Sequence, residues 1–154
     1  MLAVREILAA VASPTAERVF LRIPARRPYA QIVRTAAAAL ATRLGMSFVA
    51  IDDLGLAVDQ AMVMLLDGLD GLDGSEPGLG AGGAASPQPD HGIDVVFRIA
   101  ESRFEFEASR SITSRVSQQA VQLLNGSAAD LVDELRIDGD IGTVWLTKSL
   151  PDVR

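Results

Sequence analysis

The chain has 154 residues, of which 49% are apolar and only 5% aromatic, with a mean hydropathy of +0.25; this fits one compact domain with an aliphatic core and excludes global disorder. The net charge is −6, and thirteen arginines and one lysine are scattered without a basic block, so the clustered cations that neutralise phosphate are missing and a nucleic-acid partner is not expected. Cysteine is absent, which excludes disulfides, thiolate nucleophiles and Cys-ligated metals, and no apolar run approaches the ~20 residues of a membrane span, so a cytoplasmic protein is expected.

In chain order, Leu2 to Ala12 has helical spacing and stops at Ser13-Pro14, giving an N-terminal helix over 1–13 ahead of a single domain over 14–154. Glu6 breaks the apolar run there, which favours a helix over a signal peptide. Arg18 to Ile23 alternates and reads as a strand covered on at least one face. From Pro28 to Leu44 an apolar stripe of Tyr29, Ile32, Val33, Ala36, Leu40 and Leu44 predicts an amphipathic helix, opened by Pro28 and closed by Gly45. A second helix is expected from about Ala50 to Leu66, with Asp52 and Asp53 in its first turn, where carboxylates suit the dipole.

Residues 67–92 are rich in Gly, Pro, Asp and Ser and have no usable period, so they read as a flexible insertion. Beyond it, Ile93 to Ala100 and Arg103 to Ala108 form an expected hairpin, with Phe104, Phe106 and Ala108 facing inward. Ser114 to Leu124 reads as a helix stopped by Asn125-Gly126. Leu131 to Asp138 and Thr143 to Leu150 read as a last hairpin across the turn 139–142, while a helical reading competes over Ser127 to Glu134. The expected fold class is an α+β two-layer sandwich, a mixed but mainly antiparallel sheet covered on one face by helices.

Three segments carry a resemblance. Pro24, Ala25, Ala30 and Arg34 match a Pro-Ala-x-x-x-x-Ala-x-x-x-Arg helix; Leu56 to Met64 follow a hydrophobic-Ala-Val-Asp/Glu-Glu-Ala-x-x-Asn signature; and Gly142 to Leu150 match a closing Gly-Thr-x-x-x-Leu-x-Lys-x-Leu strand. In this order they resemble the bacterial anti-sigma-factor and serine-protein kinase family, whose fold is that of the histidine-kinase-like ATPases. The resemblance covers the chain outside the insertion and the N-terminal helix.

The resemblance implies a nucleotide site, and this chain departs from it at the positions that matter. Gln60 stands where active members carry a glutamate that activates the nucleophile, and Met64 where an asparagine holds magnesium; Gln is no base, and a thioether is a poor ligand for a hard cation. Helical spacing puts Asp53, Ala57, Gln60 and Met64 in one stripe toward that site. The family's Asp-x-Gly-x-Gly falls on Ala108 to Ile112, so Ala108, Arg110 and Ile112 replace its carboxylate and glycines. Thr113 to Ser117 contain no glycine to cradle phosphate. No catalytic residue, metal or cofactor is therefore expected.

Other candidates have plain readings. His91 has no metal or triad partner in spacing; Asp67, Asp70 and Asp73 lack the spacing of a calcium loop; Ser111, Ser114 and Ser117 have no base nearby. Met46, Met62 and Met64 read as core filling rather than an adaptable surface. Arg34 lies on the polar side of its helix, where family members contact sigma, with an ordinary surface arginine as the alternative. The expected function is regulatory binding of a sigma factor or an anti-sigma antagonist, with a homodimer allowed. An active kinase using Mg-ATP and a scaffold module without sigma recognition are the rival readings.

Overall fold

A computed structural model describes residues 17–69, 91–112 and 114–151. The expected N-terminal helix and nearly all of the 67–92 insertion lie outside the described residues. The elements are β1 (Glu17–Pro24), α1 (Arg27–Arg43), α2 (Phe48–Leu65), β2 (Gly92–Ala100), β3 (Arg103–Arg110), α3 (Gln118–Ala128), β4 (Glu134–Asp138) and β5 (Thr143–Ser149). The strands form one sheet in the order β1-β2-β3-β5-β4, and every ladder is antiparallel. The helices cover one face, which makes a two-layer α+β sandwich.

Strand alternation sorts the side chains. Leu21, Val95, Ala108, Val144 and Ile137 lie on one inward row, and Val19, Phe97, Phe106, Leu146 and Leu135 on the next. Phe97 sits between Phe104 and Phe106, with ring centroids 5.9 and 5.7 Å away in tilted contact, and these rings supply the bulk that the aliphatic majority cannot. Against them the helices bring Val33, Ala37 and Ala41 from α1, Leu54, Val58, Ala61, Met62 and Leu65 from α2, and Leu124 and Ala128 from α3. The sheet's other face carries ion pairs such as Arg98–Glu107 at 2.7 Å, alongside Phe20, 70% exposed on the edge strand.

Local chemistry sets the helix ends. Pro28 lies in the first turn of α1, and Gly45 after it adopts φ +75, the left-handed cap glycine accepts without strain. Ser47 caps α2 by accepting from the Ala50 N–H at 3.2 Å, and Ser117 caps α3 by accepting from Ala120 in the same way.

The expected helix Ser114 to Leu124 is a correction: α3 starts four residues later and runs through Asn125-Gly126. Residues 114–117 are held extended, because the Val116 N–H donates to the Gly139 carbonyl at 2.7 Å and Ser114 Oγ is taken by Arg110. At the other end Leu124 and Ala128, one turn apart, are both buried, so packing overrides the stop signal. The expected strand Leu131 to Asp138 shortens to Glu134–Asp138, with residues 129–133 in turns. The turn 139–142 forms as expected, with Asp138 Oδ1 accepting from the Asp140 and Ile141 N–H groups and Gly142 at φ +66.

Candidate functional site

The positions aligned with a nucleotide site do not line one cavity. Ala57 and Met64 are fully buried in the core under α2, and Ala108 is buried on the inner face of β3. Gln60 is half-buried beside α3, where its Oε1 accepts from Ser127 Oγ at 3.4 Å. Ile112, past the end of β3, is exposed. Among the described residues no group of three or more His, Cys, Asp or Glu side chains is arranged to hold a metal ion.

Arg110 is the position whose role the sequence reading missed. It sits on the inward row of β3, opposite Ile93, and is only 7% exposed. Its Nε donates to the Leu65 carbonyl at 2.9 Å, Nη1 donates to Ser114 Oγ at 2.7 Å, and Nη2 donates to the Asp67 carbonyl. One guanidinium thus satisfies carbonyls left open at the C-terminus of α2, where a cation also suits the helix dipole. Burial pushes the Arg110 pKa down while the Asp67 charge pulls it back, and an arginine keeps its proton through such shifts. The Asp67 carboxylate in turn accepts from the Ser117 N–H at 3.3 Å, which ties the end of α2 to the start of α3. The signal was available: alternation over Phe104, Phe106 and Ala108 points Arg110 inward as the fourth member.

The serines serve structure. Ser111 Oγ accepts from the Gly92 N–H at 2.8 Å, Ser114 accepts from Arg110, and Ser117 is the α3 cap. His91 is half-buried, and its carbonyl accepts from the Ala25 N–H at 2.9 Å. Met46 and Met62 are buried like Met64.

Among the described residues, one surface open to recognition is the outer face of the α1–α2 hairpin. Arg34 projects from α1 across α2, where its guanidinium pairs with the Asp59 carboxylate. The Arg34 side chain lies over Gly55, where a built Cβ would be 3.4 Å from Nε, an ordinary contact. A groove of about 460 Å³ runs here, lined by Arg27, Ala30, Arg34, Thr35, Ala38 and Asp59 among others. A neighbouring one of about 330 Å³ shares Arg27 and Ala30 and reaches Val63, Leu66 and Asp67. Along α2, Val49, Leu56 and Val63 stand out from this face at 71%, 45% and 65% exposure, each seven residues from the next.

No protein-family model matches the chain, and no curated protein matches it either.

Proposed function

We propose that this chain is a regulatory protein of the anti-sigma type, with a degenerate histidine-kinase-like ATPase fold, that works in the cytoplasm by binding a sigma factor or an anti-sigma antagonist through the α1–α2 face. The observation that carries this reading is Arg110. The segment that holds adenine in the family is here a strand end whose arginine is spent on the carbonyls of Leu65 and Asp67, drawing β3 and the end of α2 together. Two further features support binding without phosphotransfer: Met64 is buried in apolar surroundings, and the amide of Gln60 can neither take a proton from a nucleophile nor replace a carboxylate. Arg34, the residue the family resemblance assigns to partner contact, is exposed beside Asp59, where it is free to exchange one carboxylate for another. Among the described residues no helix is long and apolar enough to cross a membrane.

The test has two arms. Thermal unfolding with millimolar Mg-ATP or Mg-ADP should show no upward shift, whereas a nucleotide at about 100 times its Kd would add about 2.7 kcal/mol. Purified sigma factors and their antagonists from the same cell, titrated against the chain, should include one that binds, and Arg34→Glu should weaken that binding about tenfold or more, which is ~1.4 kcal/mol. A nucleotide-dependent shift revives the kinase reading. Absence of binding by every sigma factor and antagonist leaves a scaffold module in its place.

A further inference from the structure

The ladder register gathers the apolar residues of the sheet's outer face into one row. Phe20 pairs with Val96, Val96 with Glu107, and Glu107 with Trp145, all pointing away from the helices. Phe20 is 70% exposed, and Val96 and the sole tryptophan, Trp145, are half-buried on a face that the described helices leave open. The charges around this row are already engaged. Arg22 pairs with Asp94 at 3.4 Å, Arg98 with Glu107 at 2.7 Å, Arg103 with Glu105 at 3.9 Å and Arg136 with Glu134 at 3.1 Å. A charged partner would have to break these pairs to make its own, so the face favours an occupant that brings apolar side chains and little charge.

The 16 residues ahead of Glu17 are of that kind. Between positions 2 and 12 only Arg5 and Glu6 are charged. At helical spacing Val4, Ile7, Leu8 and Val11 fall on one side, with Arg5, Glu6 and Ala9 on the other. Ala3, Ala9, Ala10 and Ala12 favour a helix, yet one shorter than about 12–15 residues is marginal alone in water. Such a segment needs a surface for its apolar side. We propose that residues 2–12 form a helix lying across the outer face of the sheet, with Val11 over Phe20, Leu8 over Val96 and Val4 toward Trp145.

The dimensions agree. Trp145 stands three strands from Phe20, about 14 Å at ~4.8 Å per strand, and residues 2–12 as a helix span about 16 Å at ~1.5 Å each. One helical turn, ~5.4 Å, nearly matches the strand spacing, so successive apolar residues of the stripe meet successive strands. Pro14 stops the helix, and residues 13–16 reach up to about 14 Å at ~3.5 Å each, enough to bring its end from Glu17 back over Phe20. So short a tether holds the segment at a millimolar effective concentration, which favours it over any partner free in solution. The inference is independent of the regulatory reading, which uses the opposite, helical side of the sheet.

Hydrogen exchange on the full chain is the first experiment. The amides of residues 6–12 should be protected, because an undocked helix of this length would not protect them. Unprotected amides overturn the proposal. Protection that grows with protein concentration would seat the segment on another copy, and overturns it as well. Phe20→Ser should speed exchange of residues 6–12 about tenfold or more, the effect of losing one buried apolar contact, while circular dichroism shows the domain still folded. Trp145 reports where the segment lies. Val4→Glu and Leu8→Glu, on the stripe, should each shift its emission to the red and steepen its quenching by acrylamide; Ala9→Glu, on the far side, should change neither. Protection that survives Phe20→Ser, or a Trp145 spectrum indifferent to both stripe variants, places the segment elsewhere and overturns the proposal. None of these outcomes touches the sigma-binding titration.

Discussion

Arg110 shows how one side chain can close a site and hold a fold together. Its three donor bonds join the last strand of the β2–β3 hairpin, the end of α2 and the segment entering α3. Removing it leaves buried carbonyls without a donor, so Arg110→Ala should destabilise by about 2–4 kcal/mol, read as a lower urea midpoint at unchanged slope. Arg110→Lys should recover part of that loss, since an ammonium keeps the charge but cannot span the fork of acceptors. If Arg110→Ala costs less than about 0.5 kcal/mol, the guanidinium is not the clasp described here. The strand expected from sequence stopped at Ala108, two residues short of the observed end, and Arg110 was read only as a missing glycine, because its acceptors are carbonyls brought in from α2 and carry no residue signature.

A second residue links stability to acidity. The Ser149 N–H bonds to the Asp133 carboxylate and, with the nearby charge of Lys148, holds it below the usual carboxylate range. The folded state therefore takes up this proton less readily than the unfolded chain. The stabilisation is present above the unfolded value of about 3.9 and is lost as pH falls through the lower folded one. Asp133→Asn should lower the melting temperature slightly at pH ~7 and flatten its decline below pH ~4, measured as Tm against pH.

At the scale of elements, α1 and α2 were legible from their apolar spacing, with ends displaced by no more than two residues. α3 was not, for a physical reason: the stop signal at Asn125-Gly126 is local, whereas Leu124 and Ala128 answer to the core. Gly55, in the middle of α2, is the converse case, a poor helix residue with nothing to recommend it but the arginine lying over it. A methyl group there meets Arg34 Nε at ordinary contact distance, on a flexible side chain. Gly55→Ala should therefore stabilise by about 0.5–1 kcal/mol through helix propensity, while loosening the Arg34–Asp59 pair. A destabilised variant in thermal melts would mean that the close approach of Arg34 is rigid.

For the whole molecule, the connection between the halves is the controlling fact. α1 and α2 precede four of the five strands, and their buried residues share one core with those of β2, β3 and β5. A fragment ending at Leu66 holds only the edge strand β1, so it should show no cooperative thermal transition, by circular dichroism, where the full chain does. The two-layer arrangement was legible from the order of elements and their alternation. The strand order β1-β2-β3-β5-β4 was not, because pairing across Glu17 and Ile99 depends on packing that local patterns do not encode.

That same pairing sets a schedule during synthesis. The hairpin of α1 and α2 leaves the ribosome with its apolar side finished, but the strand that completes its seat, β5, is translated roughly 80 residues later, several seconds at ~5–20 residues per second. Until β2 and β3 emerge, Val33, Leu54, Val58 and Met62 are shielded by nothing of their own chain among the described elements beyond β1, and the seat stays incomplete until β5 follows. The cell must either cover that surface with a chaperone or outrun aggregation, so the yield of this protein is decided by the rate at which its second half arrives.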